Sequence, residues 1–262
     1  YSQVTAQLQS FTAYLSNVYL DASKDRLYVE SPTGDARRCA QTVINEIVTR
    51  LLCVVAPIAP HMAEEAFTAL PYTPSEASVF LRGWVDAPNE WTAGMDDEEA
   101  GFWATALAIR GEVNRAIETA RGDKTLGASL EAKAVIYASD AALAKTIESR
   151  AEELKQAFIV SQFEVVSSAD DVTAVCGTQC VSEITAAQAK LDGIVIGMDD
   201  GAVVKVGVCK ADGAKCARCW GYFGDLGSDD RHPELCPRCT PIVIEKDPEL
   251  RVPAKKAEEV AA

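Results

Sequence analysis

A chain of 262 residues with 48% hydrophobic and 7% aromatic content is long enough for two ordinary domains and can bury a sizeable core, which excludes an intrinsically disordered protein. Its 39 acidic against 25 basic residues leave a net charge of −14, so any contact with nucleic acid has to be local, because broad phosphate binding draws on Lys and Arg displacing counterions. The longest apolar run, "LLCVVAPIAP", is broken by Pro57 and Pro60 and falls short of the roughly eighteen residues that a membrane-spanning helix needs.

The opening on Tyr1, without an initiator methionine or a charged or Arg/Ser-rich leader, reads as an interior or C-terminal piece of something longer. Val4, Leu8, Phe11, Leu15 and Val18 recur at helical spacing and predict one apolar stripe that packs against other helices. "ESPTGDARR" is a turn, with Asp35 as N-cap of a second helix carrying Val43, Ile44, Ile47, Val48, Leu51, Leu52 and Val55 and ending at Pro57. A third helix, "HMAEEAFTAL", lies between Pro60 and Pro71, and "PYTPSEAS" through "WVDAPNEW" reads as an irregular connection.

"MDDEEA" suits the positive end of a helix dipole and opens a fourth helix that turns Phe102, Ala106, Ile109, Val113 and Ile117 inward before stopping at Gly122. "SLEAKAVIYAS" alternates like a strand with one buried face, "DAALAKTIESRAEELKQ" is helical, and "FIVSQFEVV" is a second strand, which together make a small α/β unit. Residues 167–190, rich in Ser, Ala, Thr and Asp, read as a surface segment. "GIVIG" and "GAVVKVGVCKADG" read as strands, and the polar tail 246–262 as mobile. Arg37, Arg38, Arg110, Arg115 and Arg121 are interleaved with acids, so a solvated, salt-bridged face is favoured over phosphate contact for each.

The chemistry concentrates in "KCARCWGYFGDLGSDDRHPELCPRC", where Cys216, Cys219, Cys236 and Cys239 form two C-x2-C pairs sixteen residues apart. A C-x2-C turn points two sulfurs to one side, and two such turns close a tetrahedral structural Zn2+ site. Two disulfides fit poorly with the odd total of nine cysteines; the other five are Cys39, Cys53, Cys176, Cys180 and Cys209. A redox pair would sit at a helix N-terminus after a strand, and a catalytic zinc would keep one position open. His232 lies between the pairs as an alternative ligand that four thiolates leave unneeded. Beside the ligands stand Lys215, Arg218, Trp220, Tyr222, Phe223 and Arg238, the kind of aromatic and guanidinium surface on which single-stranded RNA bases stack. From composition alone, Trp220 packing onto its own ribbon remains an equal alternative.

"YLDASKDRLY", "RRCAQTVINEIVTRLLCVVAPIAPHMAEEAF", "SVFLRGW", "EVNRAIETARGDKTLGASLEAKAVIY" and "KCARCW…HPELCPRC" resemble, in order, segments from the C-terminal part of bacterial and organellar isoleucyl-tRNA synthetases. The resemblance covers nearly the whole chain and becomes specific where the two cysteine pairs join the helical segments. It implies a mostly α fold: a helical anticodon-binding bundle over 1–92, an α/β junction over 93–190, strands plus a C-terminal zinc ribbon over 191–245, and the tail beyond. It implies one structural zinc on the four cysteines and tRNA contacts from Arg218 and Trp220, with Lys215 and Arg238 beside them. It further implies isoleucine tRNA as partner, the catalytic and editing domains of the same enzyme as neighbours, a monomer, ATP as the full enzyme's cosubstrate, and cytoplasm, plastid or mitochondrion as compartment. The family's H-x-G-H and K-M-S-K-S signatures are absent, the only histidines being His61 and His232, so no residue of this chain is expected to be catalytic. Two competing readings are a zinc-ribbon enzyme of DNA-glycosylase type and a protein-interaction adaptor.

Overall fold

The computed structural model describes residues 2–84, 96–177, 180–185 and 201–246, and the chain divides into two compact units, 1–94 and 95–262. The expected strand "GIVIG", part of the segment around "WVDAPNEW" and all but the first residue of the 246–262 tail lie outside the described residues.

In the first unit, α1 (Ser2–Tyr14) runs through a π-helical stretch, Leu15–Leu20, into α2 (Asp21–Tyr28). The wider π turn shifts the phase of the apolar stripe, and no residue of α1 is buried: Val4 is 46% and Phe11 43% exposed, so the expected packing is not found among the described residues. Helix α3 (Asp35–Val55) starts one residue earlier than capping by Asp35 requires. Gly34 is the N-cap, and Asp35 sits in the first turn, where its charge meets the helix dipole. An Arg37 Nη1 bond to the Leu27 carbonyl, 2.6 Å, joins α3 to the end of α2. Helix α4 (Pro60–Thr68) packs on α3, and Leu52, Cys53, Ala56, Ala63, Phe67 and Val79 form the local core. Val79 is buried because the Glu64 carboxylate accepts from Ser78 Oγ at 2.9 Å and from the Val79 amide at 3.0 Å, which pins a 3-10 turn over Val79–Leu81.

The second unit is built around α5 (Asp97–Gly122), capped by Asp96, whose side chain accepts from the Glu99 amide. Phe102, Ala106, Ile109, Val113 and Ile117 are all buried, as their spacing predicts. They cover one face of a mixed sheet, order β2-β1-β4-β3, made of β1 (Ala132–Ala138), β2 (Gln162–Val165), β3 (Val181–Thr185) and β4 (Val203–Lys210). β1 and β2 are parallel, joined through α6 (Ala141–Ser149) and α7 (Ala151–Phe158); both other pairings are antiparallel.

Four expectations change here. The single helix over "DAALAKTIESRAEELKQ" is two helices broken at Arg150. The second strand is only Gln162–Val165, because Phe158 ends α7 and Ile159 turns left-handed, at φ 58°. β1 is buried on both faces rather than one: Ala134 and Ile136 face α5, and Val135 meets the opposite side, where α8 (Ala169–Cys176) packs. The supposed surface segment 167–190 therefore contains α8 and β3, with Val172 at 0% and Ile184 at 7% exposure.

Arg110 is neither solvated nor available to phosphate: it is 9% exposed and its Nε donates to the Ala157 carbonyl at 2.9 Å, tying α5 to α7. Arg115 pairs with Glu112 at 2.9 Å and Arg121 with Glu118, as expected of an ion-paired helix surface. At the α6–α7 break, the Arg150 guanidinium lies 4.1 Å from the Phe102 ring centroid and 5.1 Å from that of Trp103, while two of its nitrogens grip Glu99 at 2.8 and 2.9 Å. Arg150 also bonds Glu153. The Arg150 bonds, with help from the Trp103 indole N–H, hold the Glu99 carboxyl below its usual range. Arg150→Ala is expected to cost the second unit about 2 kcal/mol, the scale of a stacked, bidentate guanidinium, and a urea midpoint measurement checks it. No helix among the described residues is long and apolar enough to cross a membrane.

Candidate metal centre and its exposed tryptophan

β4 ends at Lys210, and within four residues the chain enters a two-stranded ribbon, β5 (Ala214–Lys215) against β6 (Tyr222–Phe223). Gly213, at φ +91°, is required there: a Cβ would lie 2.2 Å from the Phe223 carbonyl oxygen. The first cysteine pair occupies the turn between these strands. The Cys216 amide donates to the Gly221 carbonyl at 2.9 Å, and the Trp220 amide returns to the Cys216 carbonyl at 3.0 Å. The second pair leads into α9 (Cys239–Lys246), with the Cys239 amide on the Cys236 carbonyl at 3.0 Å, an element that the sequence reading did not anticipate.

All four cysteines are buried, and one sulfur from each lies within 4.8 Å of the others. Zn–S bonds of about 2.3 Å in a tetrahedron set the sulfurs about 3.8 Å apart. Cys219 Sγ and Cys236 Sγ are 3.8 Å apart, so the geometry already fits the ion. His232 is not in this group. Thiolate charge is offset from outside: the Cys236 amide points at Cys216 Sγ, 3.4 Å, and Arg218 Nη1 at Cys239 Sγ, 3.5 Å. The Cys219 thiol and the Arg218 guanidinium hold the Cys239 thiol below its ordinary range, against the opposing effect of burial. Such a closed four-sulfur shell leaves no position for a reacting water, so a zinc there is structural.

The expected RNA-facing residues separate. Arg218 is half-buried and leans back on a ligand sulfur rather than standing free. Arg238 is also half-buried, while Lys215 is exposed and its ammonium lies 5.6 Å from the Trp220 ring centroid. Trp220 is 62% exposed, so the ring is not sealed beneath its own hairpin. Its backbone is left-handed, φ 64°, a conformation that costs a bulky side chain about 1–3 kcal/mol and persists only where surrounding bonds enforce it. Here the enforcing bonds are those of the Cys216 turn.

Sequence reasoning missed the residues that seat the ribbon on the sheet. Ser161 Oγ donates to the Leu130 carbonyl and accepts from the Tyr222 amide at 2.9 Å. Gln162 exchanges two bonds with the Asp212 backbone, at 2.9 and 3.0 Å. The only hint was a polar Ser-Gln pair opening an apolar strand. Ser161→Val strands the Tyr222 amide and Leu130 carbonyl, and is expected to cost about 1–3 kcal/mol, read as a lower thermal midpoint of the second unit with the metal still bound.

Residues 1–136 match the family described as the anticodon-binding domain of tRNA ligase, and residues 213–242 match the zinc finger found in FPG and IleRS. The first match takes in more than half of the sequence, and the chain belongs to that anticodon-binding family. The relatives it resembles are isoleucine–tRNA ligases. It is 36% identical over 260 residues to the chloroplastic/mitochondrial enzyme of Arabidopsis thaliana, covering 94% of this chain and 22% of that protein. Identity is 38% over 236 residues to the enzyme of Nostoc sp. strain PCC 7120, covering 87% and 22%. It is 37% over 240 residues to that of Gloeobacter violaceus, covering 91% and 22%. The chain thus spans about a fifth of the length of these curated relatives. The zinc-finger match and the four-sulfur geometry together make zinc the structural cofactor of the ribbon.

Proposed function

We propose that this chain is the tRNA-recognition part of an isoleucine–tRNA ligase, a class I synthetase that in full joins isoleucine to its tRNA at the expense of ATP. The carrying observation is Trp220, a large ring kept exposed in a strained backbone on a metal-braced turn. In this reading Cys216, Cys219, Cys236 and Cys239 hold the zinc, and the ion folds the turn without taking part in a reaction. Trp220 stacks on an unpaired anticodon base, an interaction on the order of 1–3 kcal/mol per base. Lys215 lies near one ring and can reach the adjoining phosphate. Arg218 shares its donors between a ligand sulfur and a base edge, and Arg238 occupies the matching place inside the second pair.

The helical unit is read as the anticodon-stem bundle, the sheet as the junction that orients the ribbon, and the catalytic and editing domains of a monomeric full enzyme as neighbours. A reducing compartment, cytoplasmic or organellar, suits the free thiols. Binding energy gained here fixes the tRNA for chemistry performed elsewhere.

Residues 210–246 contain six basic and six acidic side chains, so the net −14 is carried by the rest of the chain. With four thiolates and one Zn2+ added the ribbon carries about −2, so a ribbon that binds by stacking rather than by phosphate contact should show a shallow salt dependence. Filter binding with isoleucine tRNA and an unrelated tRNA tests the proposal. Preference for isoleucine tRNA supports it, binding to neither favours the adaptor reading, and preference for duplex DNA favours the glycosylase type.

A further inference from the structure

Away from the ribbon, the face of the sheet under α8 brings two further cysteines together. Gly207 and Cys209 are two apart on β4 and point to the same side, and across the antiparallel pair they face Val135 and Lys133 of β1. Gly207 has a specific reason to be glycine. A Cβ there would come 2.6 Å from Val172 Cγ1 and 2.9 Å from Cys176 Sγ, so its absence lets α8 press onto the strand with the Cys176 sulfur over Gly207, next along that face to Cys209. The two thiols thus share one face of the sheet, a single side-chain step apart along β4. Both are half-buried, within reach of a small oxidant.

Cys180 is close in sequence but not in geometry. Its carbonyl accepts from the Val208 amide at 3.0 Å and its side chain packs with the α5 core, on the opposite face of the sheet from Cys209. Lys133 pairs with Glu164 at 2.5 Å while facing Cys209. The neighbouring Cys176 thiol, and then the Lys133 ammonium, bring the Cys209 thiol down to about 7 against burial and the nearby Asp212 and Glu164 carboxylates. Cys176 is moved the other way by the Cys209 sulfur and by burial. The pair thus has one sulfur suited to attack and one held as its protonated neighbour.

We propose that Cys176 and Cys209 are a peroxide-responsive thiol pair that closes to a disulfide between α8 and β4. The Cys209 thiolate attacks one oxygen of hydrogen peroxide, forming an S–O bond and breaking O–O. The departing hydroxide is protonated to water. Cys176, losing its proton, then attacks the Cys209 sulfur and forms the S–S bond, and the expelled hydroxide leaves as a second water. Two thiols are oxidised by two electrons in all and one peroxide is reduced to two waters. In a reducing compartment the bond reverts with a thiol reductant, so it is a modification rather than a permanent staple. Nothing in this step depends on RNA recognition.

The test treats the zinc-loaded 262-residue chain with equimolar hydrogen peroxide, blocks the remaining thiols, and maps tryptic peptides without reduction. Expected are loss of two hydrogens from the intact mass, unchanged zinc, and residues 206–210 joined to residues 156–190. The joined peptide should persist in Cys180→Ser and vanish in Cys176→Ser, where dimedone should instead trap Cys209 as its sulfenic acid. A Cys209 cross-link to Cys180 or to a ribbon cysteine overturns the proposal. So does a Cys209 that remains fully alkylatable in the wild-type chain while exposed Cys39 is oxidised.

Discussion

Cys216→Ser is expected to release the zinc and unfold the ribbon while leaving most of the chain's helical signal in place. Within residues 213–246 the buried apolar side chains are Cys216, Cys219, Leu235, Cys236, Cys239 and Ile242; four of these six are the proposed ligands. Remove the ion and two aliphatic residues remain to hold the module, far too little to offset the conformational entropy of ordering it. Structural zinc in modules of this kind supplies roughly 10–16 kcal/mol of apparent binding free energy at neutral pH, and that energy is folding energy. Metal analysis should find no stoichiometric zinc in the variant. Hydrogen exchange should show lost protection of the Cys216, Trp220 and Cys239 amides, which are bonded in the folded turns. Far-UV ellipticity should fall little, because only eight helical residues, α9, belong to the ribbon. Cys236→Ser should behave alike. Zinc retained at one equivalent in both variants contradicts a four-thiolate site.

The second large effect separates what Trp220 does for the fold from what it does for binding. Because its φ is 64°, replacing it by Gly removes a left-handed penalty of about 1 kcal/mol or more and should leave the zinc and the thermal midpoint unchanged or improved. Stacking is lost with the ring, so affinity for isoleucine tRNA should fall by about 1–3 kcal/mol, roughly 5- to 150-fold. The slope of binding against salt should stay nearly constant, since no phosphate contact is removed. Trp220→Ala should lose the same affinity while keeping the backbone strain. A Gly variant that melts earlier, or binds as well as the original, would make the ring a packing element.

How far the sequence carried depended on whether the deciding forces were local. The fourth helix was legible residue by residue because an acidic N-terminus, an apolar stripe and a terminal glycine all agree. The metal centre was legible for the same reason: two tight turns and four soft ligands are local chemistry. Residues 167–190 were misread because α8 is short and its composition polar. Its signal was the capping box, Ser168 accepting from the Asp171 amide while the Asp171 carboxylate accepts from the Ser168 amide. The break after Phe158 was hidden because Ile159 is a β-branched residue in left-handed backbone, against its own preference. Burial of Arg110 and the docking of the ribbon through Ser161 are tertiary facts: each rests on partners 47 and 61 residues away. The lean of Arg218 onto Cys239 is likewise set by closure of the two pairs into one site, which spacing alone does not orient.

The central claim is that a metal-braced turn offers one indole ring to unpaired anticodon bases. It is tested most directly by titrating an isoleucine anticodon stem-loop into the zinc-loaded chain and into Trp220→Phe, and subtracting the two tryptophan fluorescence signals. The account predicts a quench that belongs to Trp220 and disappears when the anticodon of the same stem-loop is replaced. Equal quenching in both proteins, or with both RNAs, would contradict it.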